Sequence, residues 1–300
     1  MKRWPGALLA LLAANCAAPA PVVRLPPKSL PIPAPAPAPA PAPAVTLAGD
    51  LRIEGTLEQG GWLRGTVPAG AVRLTLGDAP VTIAADGRFF AGLDRDAPPR
   101  LRLTATAASG QAVSRDLAIA PRAWPIERVD VPLRGSVPSE TFTAIRRPEL
   151  AAIDAARGVR SDSAGWAQRF VWPVTGRISG RFGSQRIYQG VPGAYHSGLD
   201  IATGTSGTPY VAPADGVVVL AAQRPFSLEG NVLIIDHGMG LNSAFLHSSR
   251  LAVREGDRVK QGQLIGHIGA TGRVSGPHLH WSLKWQDARL DPLLFLPPMP

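Results

Sequence analysis

Short apolar stretches broken by glycine and turn residues run through most of this sequence, and outside one connector no long helical period is visible. That pattern restricts the chain to stacked sheets, because half-buried strands need side chains that alternate between core and solvent over a few residues. Stretches of β-type composition fall at 51–57, 62–67, 72–76, 81–84, 89–93, 101–105 and 113–119, separated by turn signals such as Gln59-Gly60-Gly61, Asp86-Gly87 and Ser109-Gly110. About seven strands in roughly ninety residues predict an immunoglobulin-like β-sandwich. The pattern returns at 217–221, 232–236, 244–247 and 264–268. Between the halves, Pro148 followed by Glu149, Leu150, Ile153 and Ala156 predicts a short helix with proline in its first turn, ended by Gly158.

The first residues carry a different message. Lys2 and Arg3 precede an apolar run at 6–14, and then come the small residues Cys16, Ala17 and Ala18. That order matches a secretory signal over 1–18, and the run is too short to span a bilayer. The single cysteine, Cys16, rules out a disulfide within the chain. Cleavage is the expectation, with a retained anchor or lipidation of Cys16 as the routes to a membrane tether at the N-terminus; Asn15 stands where a lipidation signal usually has a small residue. The protein is expected to be exported, to a periplasm or cell envelope. Residues 19–44 are a Pro/Ala-rich linker, a polyproline-II-like spacer reaching roughly 80 Å. The net charge of +9 suits an anionic partner such as an acidic cell-wall polymer. With no basic run and no interleaving of Arg with aromatics, nucleic acid is not an expected partner.

All six histidines lie in the second half. His278 and His280, in G-P-H-L-H-W, are two apart in a stretch of strand character, so their imidazoles share one face. His196 and Asp200, in Y-H-S-G-L-D-I-A, also have an even spacing. Two imidazoles and a carboxylate match a catalytic zinc site, in which three protein ligands leave the fourth position to water. Taken alone, each pair fits a hydrogen-bonded couple equally well. His247, in S-A-F-L-H-S-S, ends a run in which Ser243, Phe245 and His247 are expected on one face. A metal centre that splits an amide also needs groups that move protons and stabilise an oxyanion. His247 and the H-x-H histidine left off the metal are candidates for those roles.

These motifs resemble the lysostaphin-type zinc metallopeptidases, peptidoglycan endopeptidases with an H-x-x-x-D followed by an H-x-H. The likeness extends over G-R-I-S-G-R-F-G at 176–183, Y-H-S-G-L-D-I-A, V-A-P-A-D-G-V-V at 211–218, N-V-L-I-I-D-H-G at 231–238, G-D-R-V-K-Q-G-Q at 256–263 and G-P-H-L-H-W. The resemblance implies a mainly β chain whose C-terminal half is an antiparallel sheet with an open groove. It implies one Zn2+ per chain on His196, Asp200 and His280, and His247 and His278 as catalytic residues. It also implies peptidoglycan stem or cross-link peptides as substrate. Some relatives have lost ligands and act only as regulators, so a non-catalytic activator of cell-wall amidases is the alternative; a secreted zinc peptidase acting on proteins is a more distant one. The expected layout is a signal peptide at 1–18, the linker at 19–44, an Ig-like domain at 45–135, a connector with a short helix at 136–170 and the peptidase domain at 171–297. His237 and His267 match no ligand and are expected at the surface or in turns.

Overall fold

Among the described residues, seven strands precede residue 120: β1 (Arg52–Thr56), β2 (Trp62–Thr66), β3 (Ala71–Leu76), β4 (Ala79–Val81), β5 (Arg88–Gly92), β6 (Arg100–Ala107) and β7 (Ala112–Ala118). They make a three-stranded sheet, β1-β2-β5, and a four-stranded sheet, β4-β3-β6-β7, with antiparallel pairing throughout. The alternation in β6 is what the sequence demands: Leu103, Ala105 and Ala107 are buried and the residues between them are not. In β5 the alternation fails, since Phe89, Phe90 and Ala91 are all buried. A strand covered on both faces reads as a continuous apolar run. Phe90 meets Trp62 and also Phe295 near the C-terminus, each at 6.3 Å between ring centroids. The computed structural model describes residues 46–132, 139–222 and 224–300. The signal-like segment, Cys16 and the whole linker therefore lie outside the described residues.

After β8 (Ile126–Val129) the chain enters helix α1 (Glu140–Gly158). The helix is longer than Pro148 suggested and holds that proline in its interior. Ser139 supplies the start, its hydroxyl accepting from the N–H of Phe142 at 3.1 Å. An interior proline costs about 3 kcal/mol of helix propensity, and docking on both sides of it offsets that cost. Arg146, Glu149, Ile153 and Ala156 recur at helical spacing on one face. Arg146 pairs bidentately with Glu229 at 2.6 Å to each oxygen, and Ile153 and Ala156 bury against Val232, Ile234 and Ala244.

The second half contains β9 (Arg177–Gly180), β10 (Gln185–Tyr188), β11 (Val191–Pro192), β12 (Leu199–Ala202), β13 (Pro209–Val211), β14 (Gly216–Ala221), β15 (Asn231–Asp236), β16 (Leu241–Ser248), β17 (Arg250–Leu251), β18 (Arg258–Val259), β19 (Leu264–His267), β20 (Leu279–Trp285) and β21 (Ala288–Leu290). The main sheet runs β18-β14-β15-β16-β20-β12-β9, with β21 beside β20. Its pairings are antiparallel. β13-β19-β17 forms a smaller sheet. In β20, Leu279, Trp281, Leu283 and Trp285 face the core while His280, Ser282 and Lys284 face the other way. Trp281 stacks on Phe245 at 6.4 Å and 4°. A parallel pairing of β8 with β10 ties the chain preceding the helix to the second half. One buried cluster runs from Leu51 and Phe90 through to Trp281 and Leu290, so the two halves share a core. Among the described residues, no helix is long and apolar enough to cross a membrane.

Candidate metal centre

Register places the carboxylate. β12 pairs with β20 so that Asp200 lies directly opposite His280, and directly opposed side chains on one face approach within about 5.5 Å at Cβ. His280 Nδ1 is 2.8 Å from Asp200 Oδ1. His196 precedes β12 in a loop, where its N–H donates to the Ser184 carbonyl at 2.8 Å and its carbonyl accepts from the N–H of Gly183 at 2.9 Å. From there its Nε2 reaches both Asp200 Oδ1 and His280 Nδ1, each at 3.1 Å. The three donor atoms of His196, Asp200 and His280 lie within 4.8 Å of one another, a group able to hold a metal ion.

Hydrogen bonds at the far side of three of the four rings set their tautomers. The Nδ1–H of His196 donates to the Arg181 carbonyl at 3.1 Å, which leaves Nε2 with a lone pair turned to the cluster. Likewise His278 donates from Nδ1 to the Gly276 carbonyl at 2.9 Å, and its Nε2 lies 3.7 Å from Asp200 Oδ1. The Nδ1–H of His247 donates to the Thr271 carbonyl at 2.9 Å. The His247 ring stands 5.1 Å from that of His278 and 6.2 Å from that of His280, centroid to centroid. All five residues singled out in the sequence therefore meet in one place.

His247 arrives there by a different route from the one its spacing suggested. Ser243 and Phe245 point into the core, and regular alternation would send His247 with them. The pairing of β15 with β16 slips between Asn231 and Leu233, so β16 carries an extra residue, and His247 adopts a φ of +67°. A bulge next to a site re-aims a side chain in this way. A non-glycine residue at positive φ stores strain that the surroundings must hold. The N–H of His247 donating to the Glu229 carbonyl at 2.9 Å provides one such hold.

Burial pushes the Asp200 carboxyl up, but His196 and His280, which donate to it and carry charge when protonated, outweigh burial and hold Asp200 well below the usual carboxylate range. For His196, burial acts downward and is outweighed by Asp200, so the imidazole is raised. His280 is lowered chiefly by burial, despite Asp200. His247 is brought down to about 4, mainly by burial and further by His280 and His278, so it is neutral near pH 7.

His237 and His267 are not surface histidines: they are 0% and 8% exposed. Arg250 donates to His267 Nε2 at 2.8 Å. His237 belongs to a directional chain beneath β20. The Trp281 indole N–H donates to Ser243 Oγ at 3.1 Å, the Ser243 hydroxyl donates to His237 Nε2 at 2.7 Å, and the His237 Nδ1–H donates to the Asp215 carbonyl at 2.8 Å. The Asp215 carbonyl only accepts, so the proton of the neutral ring sits on Nδ1, and Nε2 is left to accept from the Ser243 hydroxyl. Burial accordingly drives His237 down to about 4. Because that lies below the ordinary 6.5, the unfolded chain binds the proton first. Stability from this group is complete above pH 6.5 and is lost as pH falls toward 4, by about 3 kcal/mol. Urea unfolding from pH 7.5 to 4.5 is expected to show this loss. In His237→Gln, which is less stable at pH 7.5, the pH slope is expected to be shallower by up to about 1.4 kcal/mol per unit.

An open depression of about 770 Å³ adjoins His196, lined among others by Glu127, Gln185, Arg186, Tyr188 and Tyr195. Sequence spacing missed the carbonyls of Arg181, Thr271 and Gly276, which orient three of the imidazoles, because a backbone acceptor has no residue-type signature.

Residues 194–292 match the model of peptidase family M23, a span that contains all five of these residues. The chain carries a peptidase family M23 domain. It is 40% identical to the peptidoglycan DD-endopeptidase ShyA of Vibrio cholerae over 117 residues, 39% of this chain and 26% of the relative. It is 36% identical to the murein hydrolase activator NlpD of Escherichia coli over 128 residues, 42% of this chain and 31% of the relative. A Pseudomonas aeruginosa crystal structure assigned to peptidase M23 superposes with a TM-score of 0.59 at 28% identity, covering 80% of this chain and 94% of that one. The chain spans from about a quarter to two fifths of the length of the first curated relatives it matches. The superposition reaches beyond the M23 domain, and the mainly β, antiparallel architecture agrees with it.

Proposed function

We propose that this protein is a zinc-dependent endopeptidase that hydrolyses peptide cross-links of bacterial peptidoglycan. The observation that carries the reading is the convergence of His196 Nε2, Asp200 Oδ1 and His280 Nδ1, with His278 and His247 beside them. Lone pairs crowded at 2.8 to 3.1 Å repel unless a cation or proton lies between them. Two imidazoles and one carboxylate, with no thiolate, suit a catalytic zinc rather than a closed structural one. Zinc held there lowers the pKa of a bound water toward about 7 and polarises a scissile carbonyl.

The protein's own groups do the rest. Asp200 stays ionised and is positioned by both imidazoles. His247 and His278 each present an Nε2 lone pair, fixed by a carbonyl behind Nδ1. Either can take the proton of the attacking water as the C–O bond forms. Once protonated, that ring can donate to the tetrahedral oxyanion or to the departing amine as the C–N bond breaks. The depression beside His196, with Tyr188 and Tyr195 in its wall, supports binding of an extended peptide. The strand order of the first half, β1-β2-β5 against β4-β3-β6-β7, supports the immunoglobulin-like reading, with the peptidase domain beginning near residue 171. The likeness to envelope proteins and the signal-like N-terminus support export to a periplasm or cell envelope.

Likeness to a murein hydrolase activator favours a second reading, a non-catalytic activator of cell-wall amidases. All five polar positions are present, which favours the enzyme. The test is incubation of the purified, zinc-loaded chain with purified sacculi. New soluble fragments with free amino and carboxyl ends, absent with a chelator, are expected. Stoichiometric zinc with intact sacculi would favour the activator.

A further inference from the structure

Arg95 lies in the turn after β5, in the half of the chain that contains no histidine, yet it reaches the segment that carries His196. It is 6% exposed, and arginine is seldom buried unless its donors are used. Its Nη2 donates to the Gly183 carbonyl at 3.0 Å and to Gln185 Oε1 at 3.1 Å, Nε donates to the same carbonyl at 3.3 Å, and Nη1 donates to Asp96 at 2.8 Å. The guanidinium carbon sits 4.5 Å from the ring centroid of Tyr195 and 5.2 Å from that of Trp124. Planar stacking with forked donation is a geometry lysine cannot copy.

What Arg95 grips is the cradle of His196. Within residues 181–185, the Arg181 carbonyl receives the His196 Nδ1–H, the Gly183 N–H donates to the His196 carbonyl, and the Ser184 carbonyl receives the His196 N–H. Gly183 has a φ of +81°, and a Cβ there would lie 2.0 Å from the Trp124 ring, so this turn has little freedom to rearrange. Arg95 is itself anchored. Asp94 accepts from the N–H of Asp96 and from the N–H of Arg289 in β21, and its carbonyl accepts from the N–H of Gly60. The turn bearing Arg95 is thereby fixed to both halves of the protein.

We infer that Arg95 is a positioning residue for His196, so that the N-terminal sheets are part of the framework of the metal centre. The consequence for zinc rests on the function proposed above; the positioning itself does not. The partners that orient metal ligands typically contribute 10- to 100-fold to metal affinity. The experiment uses the full chain as Arg95→Ala, Arg95→Lys and Val81→Ala, the last a buried truncation in the four-stranded sheet away from the cradle. In metal-free protein, amide exchange at Gly183 and His196 is expected to quicken several-fold in Arg95→Ala and to a smaller extent in Arg95→Lys, with Val81→Ala close to wild type there. By chelator competition, zinc affinity is expected to fall about 10- to 100-fold in Arg95→Ala. Wild-type exchange at both amides in a folded Arg95 variant would overturn the proposal, and so would equal quickening in Val81→Ala. If wild type binds no zinc, the zinc reading falls, and the exchange contrast still decides whether Arg95 holds His196.

Discussion

His280→Ala is expected to lose both zinc and hydrolysis, while His278→Ala keeps most of the zinc and loses turnover. The two residues lie two apart and share a face, but their surroundings differ. His280 is held in β20 opposite Asp200, and its Nδ1 is within 3.1 Å of both other donors. Removing it leaves one imidazole and one carboxylate, too few to hold zinc at a catalytic centre. His278 stands just before the strand, with its N–H on the Gly269 carbonyl and its Nε2 3.7 Å from Asp200. It neighbours the cluster without completing it. As a proton-transfer group it should be worth about 10²- to 10⁴-fold in turnover. Zinc content by chelator competition, set beside release of fragments from sacculi, separates the two variants. Equal loss of zinc in both would make His278 a ligand and overturn the division of roles.

Much of this centre was legible because strand geometry is local. The alternation of Leu279, Trp281, Leu283 and Trp285 fixes which face of β20 is buried, and so puts His278 and His280 together on the other. For Asp200 the period gives only its face of β12; the register of β12 on β20 brings it to His280, and His196 joins from a loop. What was not legible came from pairing at a distance or from backbone groups. His247 stood in the right place by the wrong argument: alternation would have sent it into the core, and the extra residue in β16 turns it outward. His237 looked like a turn residue, because nothing in D-H-G tells that Trp281 and Ser243 will close over it. In α1, Pro148 drew the expected start eight residues too late; the Ser139 cap and the Arg146–Glu229 pair decide the helix, and the latter spans a long stretch of chain. Arg95 carried no signal, since its target is a carbonyl 88 residues away.

A single methyl group is expected to undo the centre without touching a donor atom. Gly198 lies midway between His196 and Asp200, and as a glycine it disfavours a helix there. Its deeper constraint is space. A Cβ there would sit 2.7 Å from His280 Nε2, 2.7 Å from the Trp281 carbonyl and 2.8 Å from His280 Cε1. The carbonyl cannot yield, because Trp281 is 0% exposed and pairs with Leu199 in the sheet. Gly198→Ala must therefore either part β12 from β20 where Asp200 faces His280, or tip the His280 ring and swing Nδ1 away from its partners. Overpacking of this kind costs about 1–3 kcal/mol of stability, and misorienting a ligand ring should weaken zinc by about 10- to 100-fold. Gly276→Ala is the matched control: a Cβ there meets nothing within 4 Å, and the carbonyl that orients His278 is kept. Thermal unfolding and zinc titration of the two variants test this. If Gly198→Ala bound zinc like wild type, the His280 ring would be free to shift without consequence, and Nδ1 would lose its place among the ligands. If both alanines weakened zinc alike, the space at Gly198 would not be the cause.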